Sequence, residues 1–382
     1  MRKIFVTLLL ACALLAGISA TAEEVRMLAC SVGKADAILL QSGDSACLID
    51  TGYTWSRGRI LAAMAEMGIT RLDAVIVTHT DSDHIGGLDW LARSDIEIGA
   101  WYASANHTCK KKKHPMVTAA ALRDEEVVFA AEGDVIEAGS IRLEVLAPIG
   151  DTSDTENDNS LVLRMDTPQG ALLLCGDMEY PEEELLLESG ADVSCAVLKV
   201  ANHADNDTGS KAFIKAASPK LAVISTSTEE KPATPDAKFV RRLENVGAEV
   251  LETQECTLGV LVRMGDTLSY EYLDAPETDA EVYLTDVDAA DDTITLRNMG
   301  DADADLTDWY LVSIPDGELY VFPEGTALGG GAELTVGTYV TPDDAEPDLI
   351  WDSERVIRKK KADTVYLYDA NGNLVFAMDN GL

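Results

Sequence analysis

Short, mostly apolar runs mark the first two thirds of the chain, at positions 38–40, 46–49, 74–77, 161–165, 171–174, 197–200 and 221–224. Runs of this length without polar alternation predict strands buried on both faces. The polar stretch Gln41-Ser42-Gly43-Asp44-Ser45 predicts a hairpin turn joining the first two. Another strand is expected over 98–103. Helical spacing appears between strands, as in 58–67, where Ile60, Leu61, Met64 and Met67 share a face, and again over 236–246. Strands alternating with helices predict an α/β layer architecture.

The pattern changes after residues 274–280, a polar DAPETDA stretch that contains Pro276 and predicts a linker. Beyond it, short alternating strands are expected over 310–314, 318–322 and 364–368. Turn signals separate them: Pro315-Asp316-Gly317, Gly329-Gly330-Gly331 and Asn371-Gly372. About a hundred residues of this kind predict a β-sandwich, so the 382 residues divide into two domains, 23–273 and 281–382.

Residues 1–22 read as a secretory signal: Arg2 and Lys3, an apolar run over 4–18, and a small-x-small site ending at Ala22. The run is shorter than a spanning helix needs, and no later segment is apolar enough to span, so the mature chain is expected to be exported without a transmembrane segment. The chain holds 30 Lys and Arg against 67 Asp and Glu, and losing the leader would take its net charge from -37 to -39. Such a field repels polyanions over most of the surface, so an anionic substrate has to be captured locally, by metal or by a small basic patch. Six cysteines remain after the leader. Their positions, in or beside apolar runs, fit small buried residues at least as well as a disulfide framework.

Candidate chemistry concentrates in Thr78-His79-Thr80-Asp81-Ser82-Asp83-His84-Ile85-Gly86-Gly87, directly after a buried strand. Four potential metal ligands fall within six residues, and Asp81 and Asp83 repel each other unless a cation lies between them. Three more apolar runs end in Asp or His, at Asp50, Asp177 and His203. Strand ends of this kind converge on one sheet edge, where a site can be assembled from distant sequence.

Together these segments resemble the metallo-β-lactamase fold superfamily, in the branch formed by the C-terminal domain of the competence channel protein ComEC and its free-standing secreted relatives. The matching stretches are Ser31-Val32-Gly33-Lys34-Ala35-Asp36-Ala37, Asp50-Thr51-Gly52, His79 to Gly87, Asn157-Asp158-Asn159-Ser160-Leu161-Val162, Cys175-Gly176-Asp177 and the Leu198-Lys199-Val200 approach to His203. The resemblance implies an αββα sandwich holding two divalent metal ions, zinc or manganese. Asp83, His84 and His203 would hold one, His79 and Asp81 the other, and Asp177 would bridge them, with Asp83 and Asp177 closest to the chemistry. Asp50, Asp36, Asn159 and Asn202 would orient the ligands from behind. A metal-bound hydroxide would be the nucleophile. Asp81 in place of the superfamily's usual second His, and Asn157 to Ser160 in place of a third-motif His, argue against β-lactam hydrolysis.

Residues 281–378 resemble a lamin-tail domain through Ile294-Thr295-Leu296-Arg297-Asn298, Leu306-Thr307-Asp308-Trp309-Tyr310-Leu311, Tyr320-Val321-Phe322-Pro323-Glu324-Gly325-Thr326 and Tyr366-Leu367-Tyr368-Asp369-Ala370-Asn371-Gly372. This implies an immunoglobulin-like all-β sandwich with Trp309 in its core and a role in binding a cell-surface or polymeric ligand. The function implied for the whole is a secreted metal-dependent phosphodiesterase or nuclease. A cell-wall phosphorylcholine esterase and a non-catalytic exported binding protein are the alternatives. Lys110, Lys111, Lys112 and Lys113, a local reversal of sign, are expected with Lys199 to bind the phosphodiester substrate.

Overall fold

The buried runs pair into two sheets stacked face to face. The computed structural model describes residues 23–109, 114–314, 317–342 and 345–381; the expected signal at 1–22 and Lys110 to Lys113 lie outside them. The first sheet runs in the order Leu268–Leu273, Gly259–Met264, Val25–Cys30, Ile38–Ser42, Ser45–Ile49, Ala74–Val77, Trp101–Ser104, Val127–Ala130. Its hairpin closes where expected, with Ser42 opposite Ser45 and Gly43 at a φ of 55°. The second sheet runs Glu249–Glu252, Leu221–Ile224, Val197–Lys199, Gly170–Leu174, Val162–Thr167, Ile141–Ala147, Val135–Ala138, parallel across the first four and antiparallel across the rest.

Met27, Leu40, Ile49 and Ile76 from the first sheet meet Leu163, Leu174, Val197 and Val223 from the second in one dry layer. On the first sheet's outer face lie the helices Arg57–Met67, Leu88–Arg93 and Pro115–Ala121. On the second's lie Tyr180–Ser189, Lys211–Ala217 and Ala237–Asn245. The result is an αββα sandwich. In Arg57–Met67 the residues Ile60, Ala63, Met64 and Met67 face the sheet, and Gly68 ends the helix in the left-handed conformation that a residue without Cβ adopts freely. Ala237–Asn245 begins where the Asp236 carboxylate accepts from the Lys238 and Phe239 amides. The strand expected over 98–103 is interrupted. Gly99 separates Glu97–Ile98 from Trp101–Ser104, and a Cβ there would come within 2.7 Å of the Asp73 carbonyl.

Most of the C-terminal strands form two four-stranded sheets, and Ala304–Asp305 pairs separately with Ala327–Leu328. Val282–Asp288, Thr293–Asn298, Glu333–Gly337 and Leu349–Ile350 make one; Glu318–Val321, Tyr310–Ile314, Thr364–Tyr368 and Leu374–Asp379 make the other. Trp309 lies in the core with Leu296, Leu311, Phe322 and Leu367. The expected linker is docked: Ala275 is buried, and the Pro276 carbonyl accepts from the Asn371 and Asn373 side-chain amides at 3.1 and 2.7 Å. This sandwich also grips the segment that follows Gly52. Tyr310 Oη donates to the Trp55 carbonyl at 2.7 Å, Arg57 pairs with Asp308 at 2.7 Å, and Gly58 lies against the backbone of Gly372. All six described cysteines are free thiols, and Cys30, Cys47, Cys175 and Cys256 are buried. Among the described residues no helix is long and apolar enough to cross a membrane.

Candidate metal centre

Four chain segments bring their polar ends to one edge of the sandwich. Ile49 and Val77 end adjacent parallel strands of the first sheet, so Asp50 and the loop from Thr78 emerge side by side. Leu174 and Lys199 are paired across the second sheet, which places Asp177 and His203 opposite them. The turns are sharp. Asp50 has a φ of 57°, Gly176 of 51°, and Asn202, His203 and Ala204 are consecutively left-handed at 42°, 51° and 61°. For residues with a Cβ this conformation costs about 1–2 kcal/mol each, and the segment is held by hydrogen bonds from Asn202 N to the Gly176 carbonyl and from Asp236 N to the Ala204 carbonyl.

Asp83, His84, Asp177 and His203 each direct one donor atom into a common space, with all four atoms within 4.8 Å of one another. His84 Nε2 and His203 Nε2 both lie 3.3 Å from Asp177 Oδ2, and His203 Nε2 lies 3.5 Å from Asp83 Oδ2. His79 and Asp81 face each other beside this cluster at 3.8 Å, with the His79 ring 4.1 Å from that of His84.

Each imidazole is oriented from behind through Nδ1. His84 donates to Asp50 Oδ2 at 2.8 Å, and His203 donates to the Ser225 carbonyl at 2.8 Å. Thr78 gives its amide and hydroxyl protons to the two Asp50 oxygens, both at 2.7 Å, so its oxygen is left to accept from His79 Nδ1 at 3.1 Å. All three Nε2 atoms therefore carry inward lone pairs in the neutral rings. They are buried without a hydrogen-bond partner, as is Asp177 Oδ1. Buried polar atoms left unpartnered are costly, and this donor set fits a divalent cation.

The electrostatics point the same way. Burial resists ionisation of Asp177, but His203 and His84 outweigh it and hold the carboxyl well below its ordinary range. Burial likewise opposes protonation of His84 and His203, yet Asp177, with Asp50 beside the former and Asp83 beside the latter, raises both. Burial and the adjacent His84 push His79 down to about 3. Burial and Asp83 raise Asp81. The carboxylates thus favour positive charge at the cluster, and a bound cation would supply it.

Three expected supporting or binding residues act elsewhere. Lys199 is fully buried: Nζ donates to Asp36 Oδ2 at 2.8 Å and to the Val200 carbonyl at 2.9 Å, so its amine is out of a substrate's reach. Asn159 pins its own loop through Ser153 and Thr155, while Asn202 donates to Asp207 at 3.1 Å. Asp36 does sit behind the ligands, with Oδ1 3.9 Å from His203 Nδ1. Thr78, Ser160 and Glu156 were not singled out from the sequence. Ser160 Oγ accepts from the Asp177 amide at 3.0 Å. Glu156 accepts from Thr80, between His79 and Asp81, and from Thr108 at 2.8 Å, so it ties the stem of the lysine segment to the metal loop. A hydroxyl or a lone Glu in a loop carries no sequence signal of such a partner.

Residues 31–228 match the profile of the Metallo-beta-lactamase superfamily, and residues 275–380 match that of the Lamin Tail Domain. Among curated proteins, ComE operon protein 3 of Bacillus subtilis is 28% identical over 59% of this chain, and Competence protein ComA of Neisseria gonorrhoeae is 26% identical over 60%. The chain spans about a third of the length of these relatives, 32% and 31% respectively. Among solved structures, the metallo-beta-lactamase fold protein YhfI from Bacillus subtilis aligns at 13% identity with a TM-score of 0.43, covering 65% of this chain and all of that one.

Proposed function

The chain belongs to the metallo-beta-lactamase superfamily, and we propose that it is a secreted metal-dependent hydrolase acting on phosphodiesters, with nucleic acid the favoured substrate class. The observation that carries this reading is the buried cluster of Asp83, His84, Asp177 and His203, whose imidazole Nε2 atoms lack any other partner. In this reading Asp83, His84 and His203 would hold one divalent ion and His79 and Asp81 a second, with Asp177 available to both. With the shared Asp177, the His79 and Asp81 position has two carboxylates to one imidazole, so manganese suits it as well as zinc. Such ions lower the pKa of water and offset charge on a phosphoryl centre.

The protein's own contribution is positional. Asp50, Thr78 and the Ser225 carbonyl hold the rings so that only Nε2 faces inward, and Ser160 fixes the Asp177 backbone. The resemblance to the ComEC branch, together with the likeness to a relative named Competence protein ComA, supports nucleic acid as the substrate class.

A panel of single-stranded DNA, RNA, bis(4-nitrophenyl) phosphate and a phosphorylcholine ester, each with zinc or manganese, tests the reading. Turnover of a diester is expected, and it should be abolished in Asp177→Ala and His84→Ala proteins that remain folded and show reduced metal content. Full activity in either variant would refute the assignment. Turnover of the phosphorylcholine ester alone would move the substrate to wall polymers, and a wild-type protein that binds no metal would leave an exported binding protein.

A further inference from the structure

An acidic chain that hydrolyses an anionic ester needs a cation at the cleft, and two of the lysines near the cluster are already engaged. Lys199 is buried on Asp36, and Lys231 pairs with Asp205. Lys34 is different. Its Nζ lies 4.0 Å from Asp83 Oδ2, beyond hydrogen-bond distance, on a side chain that is 16% exposed. Its backbone is clamped from two other segments: the amide donates to Glu230 Oε2 at 3.1 Å, and the carbonyl accepts from Tyr53 Oη at 3.0 Å. Tyr53 is itself stacked on Trp55 with ring centroids 4.3 Å apart. Gly33, just before, has a φ of 85° with its Cα against the Glu230 carboxylate, so a side chain there would both be strained and displace the clamp. Two residues on, the Asp36 amide donates to the Asp83 carbonyl at 3.1 Å, which fastens the same turn to the metal loop.

The Lys34 ammonium is thus presented beside the Asp83 carboxylate by a rigid backbone, with donor capacity unspent. We propose that Lys34 is a substrate-binding residue that seats an anionic phosphoryl oxygen next to the Asp83 side of the cluster. This rests on the reading of the site as a phosphoester hydrolase and narrows its substrates to esters carrying negative charge at the reacting group.

The test uses the full chain as wild type, Lys34→Gln and Lys34→Arg. It combines metal analysis, kinetics on bis(4-nitrophenyl) phosphate and calorimetric titration with inorganic phosphate. Lys34→Gln should raise KM and weaken phosphate binding by roughly ten-fold or more, as loss of a charge-assisted hydrogen bond implies. Metal content should be unchanged, and Lys34→Arg should restore most of the loss. Should the wild type turn over no ester but bind phosphate through Lys34, the hydrolase reading fails and the anion site stands. Unchanged KM and phosphate affinity in Lys34→Gln, or metal loss in proportion to activity loss, would overturn the proposal.

Discussion

Replacing Lys199 by Met would leave the Asp36 carboxylate fully buried beside the metal ligands with its ammonium partner gone. At the observed 2.8 Å the Coulomb attraction is about 6 kcal/mol for an effective dielectric of about 20. Desolvation of both ions takes back most of that, so the intact pair adds little net stability. The single variant loses the attraction without recovering the cost of burying Asp36, a situation worth about 3–5 kcal/mol. It also leaves the Val200 carbonyl without its Nζ donor. The remaining positive neighbour, His203, is 3.9 Å from Asp36 and already shared with Asp177 and Asp83. Urea unfolding of chelator-treated protein, followed through the transition of the first domain, should show a loss of about 3 kcal/mol or more in Lys199→Met. Much of it should return in Asp36→Asn/Lys199→Met, where no charge is stranded. A loss below about 1 kcal/mol would refute this account, as would normal stability with a raised KM, because the amine would then reach substrate after all.

Asp50→Ala should weaken metal binding by about 10–100-fold, measured by competition with a chelating dye, with a smaller effect on turnover at saturating metal, because it frees His84 and Thr78 without removing a ligand. Glu182 is pushed up to about 7 by burial and by Asp158 and Glu132, against the hydrogen bond from Ile149 N. A folded-state value above the unfolded one favours the protonated form, so its stabilising contribution is full below the unfolded value and is lost as pH rises through about 7. Glu182→Gln should therefore be more stable than wild type by about 1–3 kcal/mol at pH 8 and nearly equal to it at pH 5, in thermal or urea melts across that range. Gly58→Ala places a Cβ 2.5 Å from Gly372 N and 2.8 Å from its Cα; overpacking two backbones should cost about 1–3 kcal/mol and quicken proteolysis within residues 274–280. Lys110 to Lys113 replaced by serine should raise KM for a long polyanion and flatten its salt dependence while sparing a small diester; an unchanged salt slope would assign those lysines to solubility alone.

Much of this architecture is written locally. Unbroken apolar runs such as Ala74–Val77 and Leu221–Ile224 became strands at those bounds, because a strand covered on both faces strongly favours apolar side chains. The helix Arg57–Met67 followed from side-chain spacing on one face, and the hairpin between Ile38–Ser42 and Ser45–Ile49 from its turn residues. The edge strand Val135–Ala138 and its neighbour Ile141–Ala147 carry no comparable apolar run, since exposed charged residues alternate with buried ones along them. The ligand-rich loop from His79 to His84 was equally legible, because His and Asp packed so closely after a strand have few uses other than metal binding.

Partnership across the chain could only be decided by the fold. Lys199 reads as a basic residue near the site, and only the stacking of the two sheets turns it inward onto Asp36, 163 residues away. Asn159 and Asn202 stand in the right segments, yet their amides are taken by the loops that carry them. The orientation of His79 and His84 depends on a chain of protons through Thr78 and Asp50. A hydroxyl's partner is set by a few tenths of an ångström in tertiary packing, whereas a strand or helix is set by the free energy of burying a patterned face. Pattern is a property of sequence; distance between remote side chains arises only when the layers close.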